Sequence, residues 1–304
     1  MKAQLLALLA ETPLHPGIGH DDSDTDLPVS REAITSAPRI PSSSVKGALR
    51  ERAWQQAFAA ALADPKKKDD AEAIADHHAK HLFGDSEEAY GAAHLAPSDA
   101  GLLLLPVRSL DMPYRWVTCN WLIERHCRLC ALATAQAPQW QPLPIGEGQV
   151  VVGHGSGTVF LEDLDFEVLD LESREQIDAL ICYLKPMLGH AATQNRLADQ
   201  FAVVNDAAFD ALTARALPVS ARNKLDRRKV SEQLFHEETL PPDTLLCTLI
   251  AETRPGGFAH LDHLLRNDHP YLRFGGNETL FQGWCRVTRL QSNAGSQIDQ
   301  GATE

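Results

Sequence analysis

Residues 39–50, Arg39-Ile-Pro-Ser-Ser-Ser-Val-Lys46-Gly-Ala-Leu-Arg50, join a proline-rich loop to the start of a helix. Serines 42–44 predict an N-cap, because a serine hydroxyl accepts a hydrogen bond from a free N–H group of the first turn. Apolar residues at helical spacing predict that the helix continues to about residue 62. Lys46 and Arg50 stand four residues apart and therefore share one face. Cations beside free N–H groups at a helix start suit a phosphate.

An ordinary amphipathic helix whose two cations face water is the alternative interpretation of this stretch. Gly47 favours a binding role, because a glycine inside a helix costs ~1 kcal/mol relative to alanine. Such a glycine is expected where a ligand or another backbone approaches closely.

The preceding segment predicts a strand over residues 3–10 and then a long loop over residues 11–41 with many prolines and glycines. A loop of this length in a compact domain is usually functional or disordered. Its acids Asp22, Asp24 and Asp26 alternate as in a calcium loop, but Leu27-Pro28 replaces the required glycine, which excludes an EF-hand. A solvated acidic loop explains Asp21, Asp22 and Asp24, whereas Asp26 adjoins the stiff Leu27-Pro28 pair.

Composition indicates a globular protein of one elaborated domain or two ordinary ones. The chain has 304 residues, 44% hydrophobic and 23% charged, with six scattered cysteines that fit a reducing cytoplasm better than a disulfide framework. The apolar N-terminus predicts a buried strand rather than a signal peptide, and no run approaches the ~20 apolar residues of a membrane span.

The net charge of −13 argues against a generic nucleic-acid binder. Basic residues are nevertheless concentrated in residues 39–52 and 215–229, while acids cluster in 21–26, 69–76 and 161–175. This segregation permits a basic groove on an acidic body. The 215–229 stretch lies between strand candidates at 197–204 and 243–251, which predicts a projecting hairpin or arm.

Further patterns predict a strand at 102–107, a helix at 115–132, strands within 148–153 and 157–170, a helix at 173–189 and a strand at 284–290. The boundaries indicate one domain over residues 1–290, with inserts at about 60–100 and about 205–240, and a flexible tail at 291–304. Gly275 and Gly276 predict either a phosphate cradle or a tight turn. The His126-Cys127-Arg-Leu-Cys130 segment resembles half of a metal site, but its helical, apolar context favours core packing.

Several of these segments have counterparts in one known family. They are His15-Pro-Gly-Ile-Gly, Asp26-Leu-Pro-Val-Ser-Arg-Glu, the 40–50 stretch, Leu82-Phe-Gly, Asp99-Ala-Gly-Leu-Leu-Leu-Leu-Pro-Val-Arg-Ser, Trp116-Val-Thr, Leu240-Pro-Pro-Asp-Thr-Leu-Leu and Gly275-Gly-Asn-Glu-Thr. In this order they resemble the repeated backbone subunit of the type III-B CRISPR effector, the Cmr complex, in the RAMP superfamily. The equivalent subunit of type III-A complexes is the nearest alternative.

The resemblance implies an α+β fold: a ferredoxin-like (RRM-related) β-α-β-β-α-β core with large insertions and a thumb hairpin. It also implies copies stacked head to tail along a CRISPR guide RNA, together with other Cmr complex subunits and a complementary target RNA. The scattered cysteines and the lack of a long apolar run predict a cytoplasmic location and no membrane partner.

The resemblance further implies roles for individual residues. The target-cutting aspartate falls on Asp26, the expected ligand of a divalent metal ion, Mg²⁺ or Mn²⁺. His15 and Glu237 are secondary catalytic candidates, although His15 equally suits a turn cap and Glu237 a solvated acid. The implied RNA-binding residues are Arg39, Ser43, Lys46, Arg50, Arg222, Lys224, Gly275 and Gly276.

The sequence therefore predicts a metal-dependent endoribonuclease that cuts target RNA at regular intervals. A ribose 2′-hydroxyl attacks the adjacent phosphate, and Asp26 positions the metal ion or accepts the proton. A non-catalytic RNA-coating subunit is the rival from another class. A nuclease that matures guide RNA would need a histidine base near the glycine loop, and residues 272–290 contain none.

Overall fold

A computed structural model describes residues 2–17, 19, 25–84, 92–171, 173–266 and 268–290. The acids Asp21, Asp22 and Asp24 and the predicted tail at 291–304 lie outside the described residues.

Fourteen strands and seven α-helices are described in these ranges. The strands are β1 (Lys2–Ala10), β2 (Arg39–Ile40), β3 (Leu95–Pro97), β4 (Ala100–Val107), β5 (Arg115–Cys119), β6 (Gln149–Val152), β7 (Thr158–Leu161), β8 (Leu164–Val168), β9 (Phe201–Val204), β10 (Val219–Leu225), β11 (Ser231–Glu238), β12 (Leu245–Glu252), β13 (Tyr271–Arg273) and β14 (Trp284–Arg289). The helices are α1 (Ser42–Ala63), α2 (Ala71–Phe83), α3 (Asn120–Leu132), α4 (Glu175–Leu184), α5 (Ala191–Gln200), α6 (Asp206–Arg215) and α7 (Gly257–Leu264).

Four strands form the centre of a 12-stranded sheet in the order β14-β1-β12-β4. Each neighbouring pair in this set is antiparallel. The chain passes from β1 through α1 and α2 to β4, and later from β12 through α7 to β14. This path has the β-α-β-β-α-β connectivity expected of a ferredoxin-like core.

The long connection between β4 and β12 continues the sheet on the β4 side, in the order β5-β9-β6-β8-β7. β5 pairs in parallel with β9, and β6 pairs antiparallel to β9. β10 and β11 pair with each other as a separate two-stranded sheet, and β11 also forms an isolated parallel bridge with Leu27. The arm is therefore an antiparallel hairpin, as the 215–229 stretch predicted.

The hydrophobic core lies on both faces of the large sheet. Along β1, Leu6 and Leu8 belong to one buried cluster and Leu5 and Leu9 to the other. Alternation of side chains along a strand sends successive residues to opposite faces, so a strand buried on both faces is continuously apolar. This explains why residues 3–10 were readable as a strand from sequence.

The start of α1 differs from the prediction. Pro41 occupies the N-cap, no serine side chain caps the helix, and Ser42 already belongs to the first turn. The free backbone N–H of Ser42 donates instead to Asp99 Oδ1 at 2.7 Å. Asp99 also forms an ion pair with Arg39. A carboxylate 57 residues away in sequence therefore does the capping that the serines were expected to do.

Two other predicted elements were partly wrong. Residues 115–119 are the buried strand β5 rather than the first part of a helix, and residues 197–200 of the strand predicted at 197–204 are the end of α5, so that only 201–204 form a strand. In both places a short apolar run is compatible with either structure, and pairing between β5 and β9 decides the outcome. The remaining predicted strands and helices are confirmed to within a few residues.

Within the described residues, no helix is both long enough and apolar enough to span a membrane. All six cysteines are free thiols. His126 and Cys130 pack with Tyr183 in the interior, where burial lowers the pKa of His126 to about 4. The His126-to-Cys130 segment is therefore core, as its apolar context favoured.

Candidate functional site

The arm carries its positive charge near its tip. The turn between β10 and β11 contains Arg227, Arg228 and Lys229, all exposed. Asp226 shapes this turn by accepting hydrogen bonds from the backbone N–H groups of Arg228 and Val230, both at 2.8 Å. The turn holds three cations close together in sequence on an exposed projection, which suits contact with a phosphate chain.

The root of the arm pairs with the loop that contains Asp26. The Leu27 N–H donates to the His236 carbonyl, and the Glu238 N–H donates to the Leu27 carbonyl, both at 3.0 Å. The His236 N–H donates to Asp26 Oδ2 at 2.7 Å. Backbone pairing thus fixes the carboxylate of Asp26 against β11. The side chain of Asp26 is still 37% exposed, so a ligand can reach it.

His236 lies beside Asp26 on the solvent side of the arm root. Its Nδ1 is 3.6 Å from Asp26 Oδ2, and its side chain is 50% exposed. The adjacent Glu237 is 1% exposed. Successive residues of a strand point to opposite sides, so Asp26 and His236 form an outward pair while Glu237 faces inward.

Glu237 forms the centre of a buried polar network. Its carboxylate forms an ion pair with Arg222 of β10, accepts a hydrogen bond from Asn277 Nδ2 at 2.6 Å and lies 3.9 Å from His15 Nε2. Arg222 also donates to Gln282 at 3.1 Å. The interpretation of Glu237 as a solvated acid is therefore wrong, and Arg222, assigned to RNA binding, joins the arm to the body of the protein.

His15 is buried and tied to its neighbours through both its ring and its backbone. Its Nδ1 lies 2.8 Å from the Glu238 carbonyl, and its own carbonyl accepts a hydrogen bond from the Gly276 N–H at 3.0 Å. A Cβ atom on Gly275 would lie 2.3 Å from that carbonyl, and Gly275 has a φ of 77°. Glycine is thus required at 275 by a turn against His15, which supports the tight-turn interpretation of this loop.

A cleft of about 720 Å³ separates this loop from α1. Ser44, Gly47 and Arg52 line it from the helix, and Gly275 and Gly276 line it from the other side. Apart from its chain neighbours and the nearby backbone of α1, no described atom lies within 4 Å of the position that a Cβ on Gly47 would take. Gly47 therefore leaves open space on the wall of the cleft, which agrees with a binding role for this face of α1.

Lys46 and Arg50 do not line this cleft. An α-helix turns about 100° per residue, so Lys46 lies about 200° from both Ser44 and Ala48, which do line it. No hydrogen bond or ion pair engages either cation within the part of the chain that the structure describes. The two cations lie outside the cleft, so the glycine loop and the Lys46–Arg50 pair, both predicted to contact RNA, are two separate regions of the surface.

Replacing Lys46 and Arg50 together by alanine tests the second region. Each phosphate contact to single-stranded RNA that is lost reduces the magnitude of the slope of log affinity against log salt concentration by ~0.7. The slope of the double variant is therefore expected to be smaller in magnitude by ~1.4. Titrating labelled guide RNA at several salt concentrations measures this slope. The matched control replaces the exposed Lys66 and Lys68, which follow α1. Equal slopes for wild type and both variants would contradict an RNA contact at Lys46 and Arg50.

The other assigned RNA-binding residues differ in accessibility. Ser43 is exposed in the first turn of α1. Lys224 is 67% exposed on the arm and lies 3.3 Å from Glu232. Arg39 forms an ion pair with Asp99 at the start of α1. The structure thus leaves Ser43 and Lys224 accessible and gives Arg39 a structural partner.

The described residues contain no group of three or more His, Cys, Asp or Glu side chains arranged to hold a metal ion. Magnesium differs from zinc or calcium in that one or two carboxylates suffice when phosphates and water supply the other ligands. The carboxylate of Asp26 is held against β11 by the backbone N–H of His236 and is partly exposed. It therefore fits magnesium binding through a single carboxylate.

Residues 8–286 match the RAMP superfamily over nearly the whole chain. The chain belongs to the RAMP superfamily.

Its relatives within the superfamily include a curated protein and solved structures. The "CRISPR system Cmr endoribonuclease Cmr4" of Pyrococcus furiosus is 27% identical over 97% of this chain and 99% of its own length. A crystal structure of oligomeric Cmr4 from P. furiosus has a TM-score of 0.68 at 24% identity, covering 95% of this chain and 98% of that one. A type III-B Cmr-β complex bound to cognate target RNA contains a chain with a TM-score of 0.66 at 18% identity, covering 95% and 97%.

Sequence reasoning missed two parts of this RAMP site. His236 received no role, although it is the side chain beside Asp26. Arg52 lines the cleft and donates to the Tyr271 carbonyl, and burial lowers its pKa from the ordinary value. A signal for Arg52 existed in its spacing, because Ser44, Ala48 and Arg52 are four residues apart and share one face. No local signal pointed to His236, since its partner is 210 residues away.

Proposed function

We propose that this chain is the repeated backbone subunit of a type III-B CRISPR complex, which binds guide RNA and cuts complementary target RNA. RAMP membership over residues 8–286 and full-length similarity to Cmr4 support the proposal. Its partners are then guide RNA, target RNA, other Cmr complex subunits and further copies of itself. The oligomeric Cmr4 structure supports assembly of several copies, for which we propose a head-to-tail stack, and six free cysteines agree with the cytoplasm.

One observation carries the nuclease part of the proposal. Backbone pairing fixes Asp26 at the root of an arm whose tip presents three cations. An arm that enters a guide–target duplex would bring a target phosphate towards the carboxylate at its base. A purely RNA-coating subunit does not need an exposed carboxylate held in this position, because negative charge there repels the backbone that it coats.

The reaction class that fits is transfer of a phosphate to the adjacent ribose 2′-hydroxyl. Asp26 provides a negative charge that orients the reacting groups, and a bound Mg²⁺ or Mn²⁺ would stabilise charge on the phosphate oxygens. Target sequence would be read by base pairing with the guide, so the protein needs no base-specific contacts.

The test assembles purified protein with a guide RNA and adds end-labelled RNA, either complementary to the guide or of scrambled sequence. We expect cuts at regular intervals in the complementary RNA only. Equal cutting of both RNAs would indicate an unguided nuclease. Binding without any cutting, in the presence of all partner subunits, would favour the RNA-coating alternative.

Removal of divalent ions tests the metal part separately. Chelation is expected to stop target cutting while leaving guide binding intact, and added Mg²⁺ or Mn²⁺ should restore cutting. Binding is followed on the same samples by gel shift, so that disassembly is distinguished from lost catalysis. Unchanged cutting in chelator would show that Asp26 acts without a metal ion.

A further inference from the structure

We propose that His236 is a catalytic residue of the RNA-cutting reaction, acting with Asp26 as a proton-transfer pair. This inference rests on the proposed function, since it assigns one step of that reaction. The inference is based on the contact between the side chains of Asp26 and His236. The site residues predicted from the sequence include Asp26 but not His236.

The placement of His236 matches what such a residue needs. Its Nδ1 is 3.6 Å from Asp26 Oδ2, so the imidazole and the carboxylate are in ion-pair range. Contacts between an acid and its base are often long without substrate and shorten in the reacting complex. With Nδ1 turned towards Asp26, Nε2 is the ring nitrogen left for substrate. The half-exposed side chain allows RNA to reach it.

The surroundings of His236 contain few other charges. Asp26 faces it from the loop, and Ala221, its cross-strand partner on β10, is uncharged. Glu238 lies two residues along β11, but it forms an ion pair with Arg31 at 2.7 Å and accepts from the Val29 N–H at 3.0 Å. Glu237 and Arg222 pair with each other on the buried side. Among the residues that the structure describes, Asp26 is therefore the carboxylate that forms an ion pair with His236.

The step balances with the groups named. His236 Nε2 takes the proton of the 2′-hydroxyl while the 2′-oxygen attacks phosphorus. The bond between phosphorus and the 5′-oxygen breaks, and that oxygen takes a proton from solvent. The products are a 2′,3′-cyclic phosphate and a 5′-hydroxyl, and the imidazolium, stabilised by Asp26, returns its proton to water. Among protein side chains, imidazole suits this task because it changes charge between pH 5 and 8.

His236→Gln is the direct test, because the backbone N–H that holds Asp26 is retained. General-base catalysis contributes 10²–10⁴-fold, so we expect target cutting to slow by about 10²-fold or more with guide and target binding unchanged. Free imidazole should partly restore cutting by His236→Ala.

The chain offers a matched control in a second exposed His–Asp pair. His154 Nδ1 lies 2.7 Å from Asp199 Oδ1, with side chains 64% and 68% exposed. His154→Gln is expected to cut at the wild-type rate. The double variant Asp26→Asn with His236→Gln should cut little more slowly than the slower of the two single variants. The effects on rate of two groups that act as a unit are not additive.

The outcomes separate the two claims. If wild type cuts complementary RNA, Asp26→Asn is inactive and His236→Gln keeps the wild-type rate, the role of His236 is refuted and the proposed function stands. If fully assembled wild type does not cut, the proposed function itself fails. A slowed His236→Gln variant, together with no rescue of His236→Ala by free imidazole, would also overturn proton transfer by His236.

Discussion

Asp26→Asn should abolish cutting of complementary RNA while guide binding and assembly stay at wild-type levels. Asparagine keeps the shape of the side chain and an oxygen that can accept the His236 N–H, now at 2.7 Å from Asp26 Oδ2. It removes the negative charge that a metal ion or an imidazolium requires. Loss of one group that acts in acid–base or metal chemistry is expected to cost 10²–10⁴-fold in rate. The loss in rate is measured from single-turnover cutting of labelled target RNA.

Asp165→Asn is the matched control for this change, because Asp165 is an exposed acid on β8, in a different part of the sheet. It should cut at the wild-type rate. Normal cutting by an Asp26→Asn assembly, with guide binding confirmed, would remove Asp26 from the reaction and leave the RNA-coating alternative or another acid.

Glu237→Gln should destabilise the root of the arm by about 3–5 kcal/mol, because it leaves the Arg222 guanidinium without its charge partner. The pair is well shielded from water, with side chains 19% and 2% exposed. Glu237 also accepts from Asn277, so the change weakens the link between the arm and the 275–283 turn. Denaturant unfolding of the purified protein gives the free energy of unfolding for comparison with wild type.

Glu232→Gln provides the comparison on the same hairpin. Its partner Lys224 and its own side chain are 67% and 49% exposed, so the expected loss is below ~1 kcal/mol. Replacing both Arg222 and Glu237 by apolar residues should recover much of the stability, since a buried pair can often be exchanged for packing. Wild-type stability of Glu237→Gln would contradict the structural role assigned to this ion pair.

The sequence predicted features that depend on local pattern. Continuous apolar residues in β1 indicated a strand buried on both faces, and the basic stretch at 215–229 indicated a projecting hairpin. Gly47, singled out from the sequence as a binding position, borders the cleft. Each of these signals lies within a few residues of the chain, where helix and strand periodicity and glycine chemistry act directly.

Features that depend on contacts between distant segments were not predictable from one sequence. Asp99 caps α1 in place of the serines, and His236 rather than Glu237 faces outward beside Asp26. Whether His236 or Glu237 is buried depends on the face of β11 that packs on the body, and a shift of one residue would exchange them. Only the pairing of Leu27 with β11 settles that choice.

The most direct test of guided cutting moves the guide along its target. Complexes are assembled with two guide RNAs whose complementary segments differ by a few nucleotides on the same labelled target, and cut positions are mapped at single-nucleotide resolution. We predict that every cut moves by the same number of nucleotides as the guide, that the intervals between cuts stay constant, and that Asp26→Asn removes all cuts. Cuts that remain at fixed positions in the target, or that persist with Asp26→Asn, would contradict guide-directed cleavage at Asp26.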